Sequence, residues 1–323
     1  MNTNKRVQKS LPIALLLVAT MLGRAQAADA QTVEAISPGP PMWKVSSGDH
    51  SLWIFAILTP LEAGVNWQSD AVESVIARAQ EYIYFKAPEP SIPLNPFKFI
   101  NGLRMVLKLR NNPDGKLLED VIPTDLYARF MPLVELYQIP DMEETRPFYA
   151  ADSLRGYAVI ANGLTEDHGI DIKIDSLVAT IPSMTLTPIQ LGPERLDYDF
   201  LMESAQRMSE AAAIEDEIHC LKLSVDSIET DIDGMRQRAQ AWAAGDVNAL
   251  RRNRDVIGAR RMCAQVQLTS GLLEKAGADW LQAAEKALSS NSLSFAILEL
   301  DELIEPGGLL EELKDRGYTI DAP

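Results

Sequence analysis

The sequence predicts an α/β fold: a central mixed β-sheet built from N- and C-terminal segments, with a large, mainly helical middle region. Three observations predict it. Apolar and aromatic runs at residues 42–45, 51–58 and 81–85 have the composition of strands. Runs of the same kind return near the other end, at residues 293–298 and at Tyr318-Thr319-Ile320. Between them, residues 196–289 contain no proline, few β-branched runs and a helical apolar period.

Along the chain, Ser46-Ser47-Gly48-Asp49 is turn chemistry and joins the first two strands as a hairpin. Residues 66–80 place Val72, Val75, Ile76 and Ala79 on one helical face ahead of the strand at 81–85, which suggests a βαβ unit. Pro88, Pro90, Pro93 and Pro96 impose a surface loop. Thr124 can cap a helix running to Tyr137 and interrupted near Pro132, and Pro147 suits the first turn of another that ends before Gly163. Residues 171–181 and 185–191 read as short strands or loops. Four to five helices are expected over 196–289, broken at Gly245 with Asp246 as the next cap. At the end, Leu309, Leu310 and Leu313 form a short helical face closed by Gly317, the middle of a second expected βαβ unit.

The N-terminus points to export. Lys5, Arg6 and Lys9 precede a 12-residue apolar run, Leu11 through Leu22, and Ala25-Gln26-Ala27 has the small-x-small pattern of a cleavage site. The run is shorter than the ~20 residues that span a bilayer, and no later stretch is long enough either. The domain plan is therefore a signal peptide at 1–27, an extended Pro-rich leader without packing of its own at 28–41, and one domain at 42–323. The expected location is periplasmic or secreted. Cleavage removes four positive charges and no negative one, so the formal charge falls from −16 to −20. A chain this acidic is a poor partner for nucleic acid. Export also makes a bridge between the two cysteines, Cys220 and Cys263, the first expectation.

Chemistry-bearing motifs are scarce. His50, His168 and His219 are the three histidines, none pairs with another at metal-ligand spacing, and each reads as an ordinary surface or packing residue. No nucleophile elbow, phosphate loop or dinucleotide fingerprint is present. The weak catalytic candidates are Glu299, Asp301 and Glu302, with Glu305 nearby, at the end of a strand where open α/β sheets hold ligands. Such a cluster is also what an acidic, solvated rim looks like. No cofactor and no metal is expected from these residues.

Three blocks carry a resemblance: Pro41-Met42-Trp43-Lys44-Val45 with Ser51-Leu52-Trp53-Ile54-Phe55, the step Ala241-Trp242-x-x-Gly245-Asp246, and Gly307-Gly308-Leu309-Leu310 through Leu313 to Arg316-Gly317-Tyr318. Together they resemble the TraB/GumN family, relatives of the TIKI metalloproteases and of the erythromycin-esterase-like fold. The resemblance implies a metal site of two Gly-x-x-His motifs assisted by a glutamate after the second strand. At those places stand Ala56 and Thr59, then Glu299 and Glu302, with Phe85 or Lys86 for the glutamate. Thr59 offers no imidazole nitrogen and Phe85 no donor at all. The expectation is a family fold whose metal chemistry has been lost, acting by binding a ligand or partner in the cell envelope. The alternatives are an envelope peptidase or esterase with a rebuilt acidic site, and a structural interaction protein.

Overall fold

The computed structural model describes residues 39–91, 95–208, 211–252 and 270–323. The expected signal peptide and Cys263 lie outside the described residues. Strands β1 (Met42–Ser47) and β2 (His50–Ile57) form the expected hairpin. Gly48 occupies the tight turn at φ +61°, a backbone setting that L side chains rarely adopt. Trp43 and Val45 are buried and alternate with half-buried Met42 and Lys44, as one covered face requires.

The main sheet contains β10 (Thr319–Asp321), β1, β2, β9 (Leu293–Glu299), β4 (Glu81–Lys86) and β7 (Thr185–Gln190), in that spatial order. β10 and β2 flank β1 antiparallel, while β2, β9, β4 and β7 run parallel to one another. The sheet is thus mixed and α/β, with the N- and C-terminal segments interleaved. The C-terminal strand β9 is central, and five consecutive residues from Ser294 to Leu298 are buried, which is the continuous burial of a strand covered on both faces.

Neither expected βαβ unit forms between neighbours. Helix α1 (Asp70–Ile76) does bury Val72, Val75 and Ile76 between β2 and β4 in sequence. β9, however, pairs with both strands and separates them. β10 likewise crosses to the far edge and pairs antiparallel with β1 instead of lying beside β9. The leader also differs from expectation at its end. Gly39, Pro40 and Pro41 are buried, and the Pro41 carbonyl accepts from Ala56 N at 3.2 Å. Gly39, at φ +79°, lies so close to Gln68 that a Cβ would sit 2.7 Å from its carbonyl oxygen.

Beyond β4, a two-residue strand β5 (Glu89–Pro90) leads into α2 (Pro96–Arg110). A short α3 (Leu118–Val121), α4 (Thr124–Leu136) with Pro132 inside it, and α5 (Pro147–Ala161) follow. Pro147 begins α5 as expected, whereas α4 starts from Pro123 and Thr124 is already helical. The short strand β3 (Leu61–Glu62) pairs with β6 (Leu164–Thr165).

The next segment, expected as short strands or loops, is helix α6 (Ile170–Val178). Ile170-Asp171-Ile172-Lys173-Ile174-Asp175 alternates like a strand, but the fold buries Ile170, Ile174 and Val178 and leaves Ile172 69 % exposed. Spacings of four and eight satisfy a helical face, and Ile172 is the residue that distinguishes the two periods.

After β7, the two-residue β8 (Arg195–Leu196) pairs with β5. The helical region then comprises α7 (Tyr198–Met208), α8 (Ala211–Ala244), α9 (Val247–Arg252) and α10 (Ser270–Ser290). Gly245, at φ +71°, ends α8, and Asp246 caps α9 through Ala249 N at 2.9 Å. After β9 come α11 (Leu300–Ile304) and α12 (Leu309–Asp315).

Candidate functional site

β2 and β9 lie side by side and parallel, with Ile57 opposite Glu299, so their carboxyl ends finish together. This is the edge at which an open α/β sheet presents its loops to a ligand. Thr59, two residues past β2, is 8 % exposed. Its hydroxyl donates to Glu299 Oε1 at 3.4 Å and faces His168 Nε2 at 3.2 Å.

The ring of His168 has a defined orientation. Ile170 N donates to its Nδ1 at 3.3 Å, so Nδ1 is the acceptor nitrogen of this bond and the proton of the neutral ring is assigned to Nε2. Protons therefore run in one direction, from His168 Nε2–H to the Thr59 oxygen and from the Thr59 hydroxyl to the Glu299 carboxylate. Gly169, at φ +67°, makes the bend that starts α6 beside this ring.

Next to Thr59 lies a small cavity with room for about one water molecule, walled by Leu58, Pro60, Met235, Arg155, Arg238 and Asp301. Arg238, 5 % exposed, donates to Asp301 Oδ1 at 2.6 Å. Its Nε is buried without a hydrogen-bond partner among the described residues. Arg155 donates to Glu166 at 2.6 Å.

The sequence-derived candidates thus meet only in part. Thr59, Glu299 and Asp301 gather at one edge, with Asp301 in an ion pair and Glu299 accepting from Thr59. Glu302 stands in the first turn of α11, and its carbonyl lies where a Cβ on Gly308 would approach to 2.7 Å, which explains the glycine of the Gly307-Gly308-Leu309-Leu310 block. Phe85 sits half-buried on β4 opposite Ile189, and Lys86 donates to Glu89 at 2.8 Å. Ala56 is fully buried, and its carbonyl accepts from Trp242 Nε1 at 2.7 Å. Trp242 also packs against Phe55 and Trp67, so the Ala241-Trp242 step of α8 is what braces this end of β2.

Of the three histidines, His50 bonds the Asn291 carbonyl at 2.6 Å and His219 is exposed on α8, as ordinary residues would. His168, expected to be equally ordinary, belongs to the site. Nothing local in the polar loop Glu166-Asp167-His168-Gly169 signals that it reaches a strand end 109 positions earlier. Arg155 and Arg238 carry no motif either.

A family model, that of the TraB/PrgY/gumN family, matches residues 41–322. The chain belongs to the TraB/PrgY/gumN family. No curated protein and no solved structure matches it. The metal that the Gly-x-x-His resemblance implies does not fit the side chains at the corresponding positions. A phenyl ring has no donor, and the Thr59 hydroxyl is hydrogen-bonded to its own neighbours. Among the described residues, no group of three or more His, Cys, Asp and Glu is placed to hold a metal ion. In this TraB/PrgY/gumN chain Thr59 and Glu299, which the resemblance sets at one motif histidine and one motif glycine, contact each other instead.

Proposed function

We propose that this chain is a catalytically degenerate TraB/PrgY/gumN protein that works in the periplasm or as a secreted protein by binding a partner. The observation that carries this reading is the His168–Thr59–Glu299 chain. Two positions that would be metal ligand and motif glycine in the resembled metalloproteases are joined to each other, beside a cavity too small for a substrate group. Export rests on the signal-peptide pattern at residues 1–27, and the companion proposal of a Cys220–Cys263 bridge rests on the oxidising surroundings that export would supply. The deciding measurement is metal content by mass spectrometry on protein recovered after export. Substoichiometric metal is expected, and one tightly held transition metal per chain would sink the reading.

A second reading has its own observation. Glu299 and Asp301 do stand at the same strand end, so a hydrolase with a rebuilt acidic site acting on peptides or esters is the alternative. Turnover on a peptide and ester panel that disappears in Glu299→Ala/Asp301→Ala, with folding intact, would favour it.

A further inference from the structure

Helix α2 is the most exposed apolar element among the described residues. Phe97, Phe99, Ile100, Leu103 and Leu107 all lie on its surface, with Phe97 77 % and Leu107 59 % exposed. At about 100° of turn per residue, Ile100, Leu103 and Leu107 share one stripe. Gly102, Met105 and Leu109, on the opposite side, are half-buried. That side meets α7, where Gly102 approaches the Tyr198 ring and Lys98 pairs with Asp199 at 3.7 Å. The packed face and the open face are therefore distinct, and the open one is apolar.

Charge identifies what fits the open face. α2 carries Lys98, Arg104, Lys108 and Arg110 and no acid, in a chain whose formal charge is −16. Arg104, Lys108 and Arg110 make no ion pair among the described residues. An anionic lipid surface attracts these cations locally and accepts the phenyl and leucyl groups, whereas a second copy docked through the same face would set the like cations of two α2 helices against each other. The helix has 15 residues, too few to span a bilayer, and no helix among the described residues is long and apolar enough to cross one.

The arm also has a defined root. β5 and β8, which precede α2 and α7, extend from the carboxyl ends of β4 and β7 and pair with each other, so the arm rises from the same sheet edge that holds Thr59 and Glu299. We propose that α2 is an interfacial helix that lays its Ile100–Leu103–Leu107 stripe into an anionic membrane surface, with Arg104, Lys108 and Arg110 against the headgroups.

The test is co-sedimentation of the full chain, as recovered after export, with phosphatidylcholine vesicles with and without about one third phosphatidylglycerol. Binding is expected to the anionic vesicles and to be lost at high salt. Arg104→Gln/Lys108→Gln should weaken it about 30-fold, at about fivefold per cation, and Leu103→Ser/Leu107→Ser roughly tenfold or more. Every variant keeps the same N-terminus, so these differences report on α2. Circular dichroism melts check folding. If the leucine variant is unfolded, the cation variant, altered only at the exposed face, carries the test. Equal binding to neutral vesicles, no binding, or binding unchanged by both variants would overturn the proposal. So would a lipid-free dimer in sedimentation equilibrium that Leu103→Ser/Leu107→Ser dissolves, which would make a second copy the occupant.

Discussion

Thr59 shows how a single side chain changes what a strand end can do. An imidazole there would offer a nitrogen to a metal, whereas a hydroxyl both donates and accepts and so joins His168 to Glu299. Replacing it by the near-isosteric Val removes both bonds while keeping the volume. Thr59→Val should therefore cost about 1–2 kcal/mol, read as a lower urea midpoint with unchanged slope. A midpoint equal to wild type would mean that the hydroxyl is not holding the edge together. Thr59 was legible as a departure from the family pattern because the strand before it is so regular. His168 was not, because its contact depends on how a distant loop folds back onto the sheet. Glu299 and Asp301 were legible as neighbours in sequence, but not as residues already engaged by Thr59 and Arg238.

Between elements, the helical layer is held by ion pairs of two kinds, and they differ in burial. Arg146 at the start of α5 and Glu217 on α8 are 3 % and 0 % exposed, with Arg146 Nε donating to Glu217 Oε2 at 3.1 Å. Arg146→Met strands a carboxylate in the core and should destabilise by about 3–5 kcal/mol, while Arg146→Met/Glu217→Leu should recover most of the loss. A double-mutant cycle in urea checks this, and additive losses would contradict it. The second kind lies at the surface. Arg129 of α4 donates to Asp226 of α8 at 2.6 Å. A hydrogen bond from Lys222, aided by Arg129, holds the Asp226 carboxyl below its usual range. Its native value is lower than its unfolded one, so its stabilisation is complete above the ordinary aspartate value near 3.9 and is lost as pH falls through the lower native value. Arg129→Ala should cost only about 0.5–1 kcal/mol at neutral pH, less in high salt and less again in acid, which thermal melts across pH can follow. Such helix-to-helix pairs could not be read from sequence, since nothing local says that α4 meets α8. The helices themselves largely could. α6 is the exception, where alternating isoleucines imitate a strand until the exposure of Ile172 is known.

At the scale of the whole molecule, composition gave the mixed sheet and its split origin, while the insertion of β9 between β2 and β4 is a long-range choice that no local pattern encodes. The two cysteines pose a question of the same range. Cys220 is fully buried on α8, and its companion is 43 positions further on. Closing a loop of that length stabilises by about 4 kcal/mol in the chain-entropy account, through the unfolded chain it restricts. The protein recovered after export should therefore resist alkylation at both thiols when unfolded in urea without reductant, and should melt lower once reduced. Unfolding in urea matters, because a thiol as buried as Cys220 would escape a reagent in the native state whether bridged or not. The same chain produced without residues 1–27 in a reducing cytoplasm should start in the less stable form and gain the difference on oxidation. If both cysteines of the exported protein alkylate in urea without reductant, then export supplies no bridge, and the stability of this domain must come from its sheet and helical layer alone.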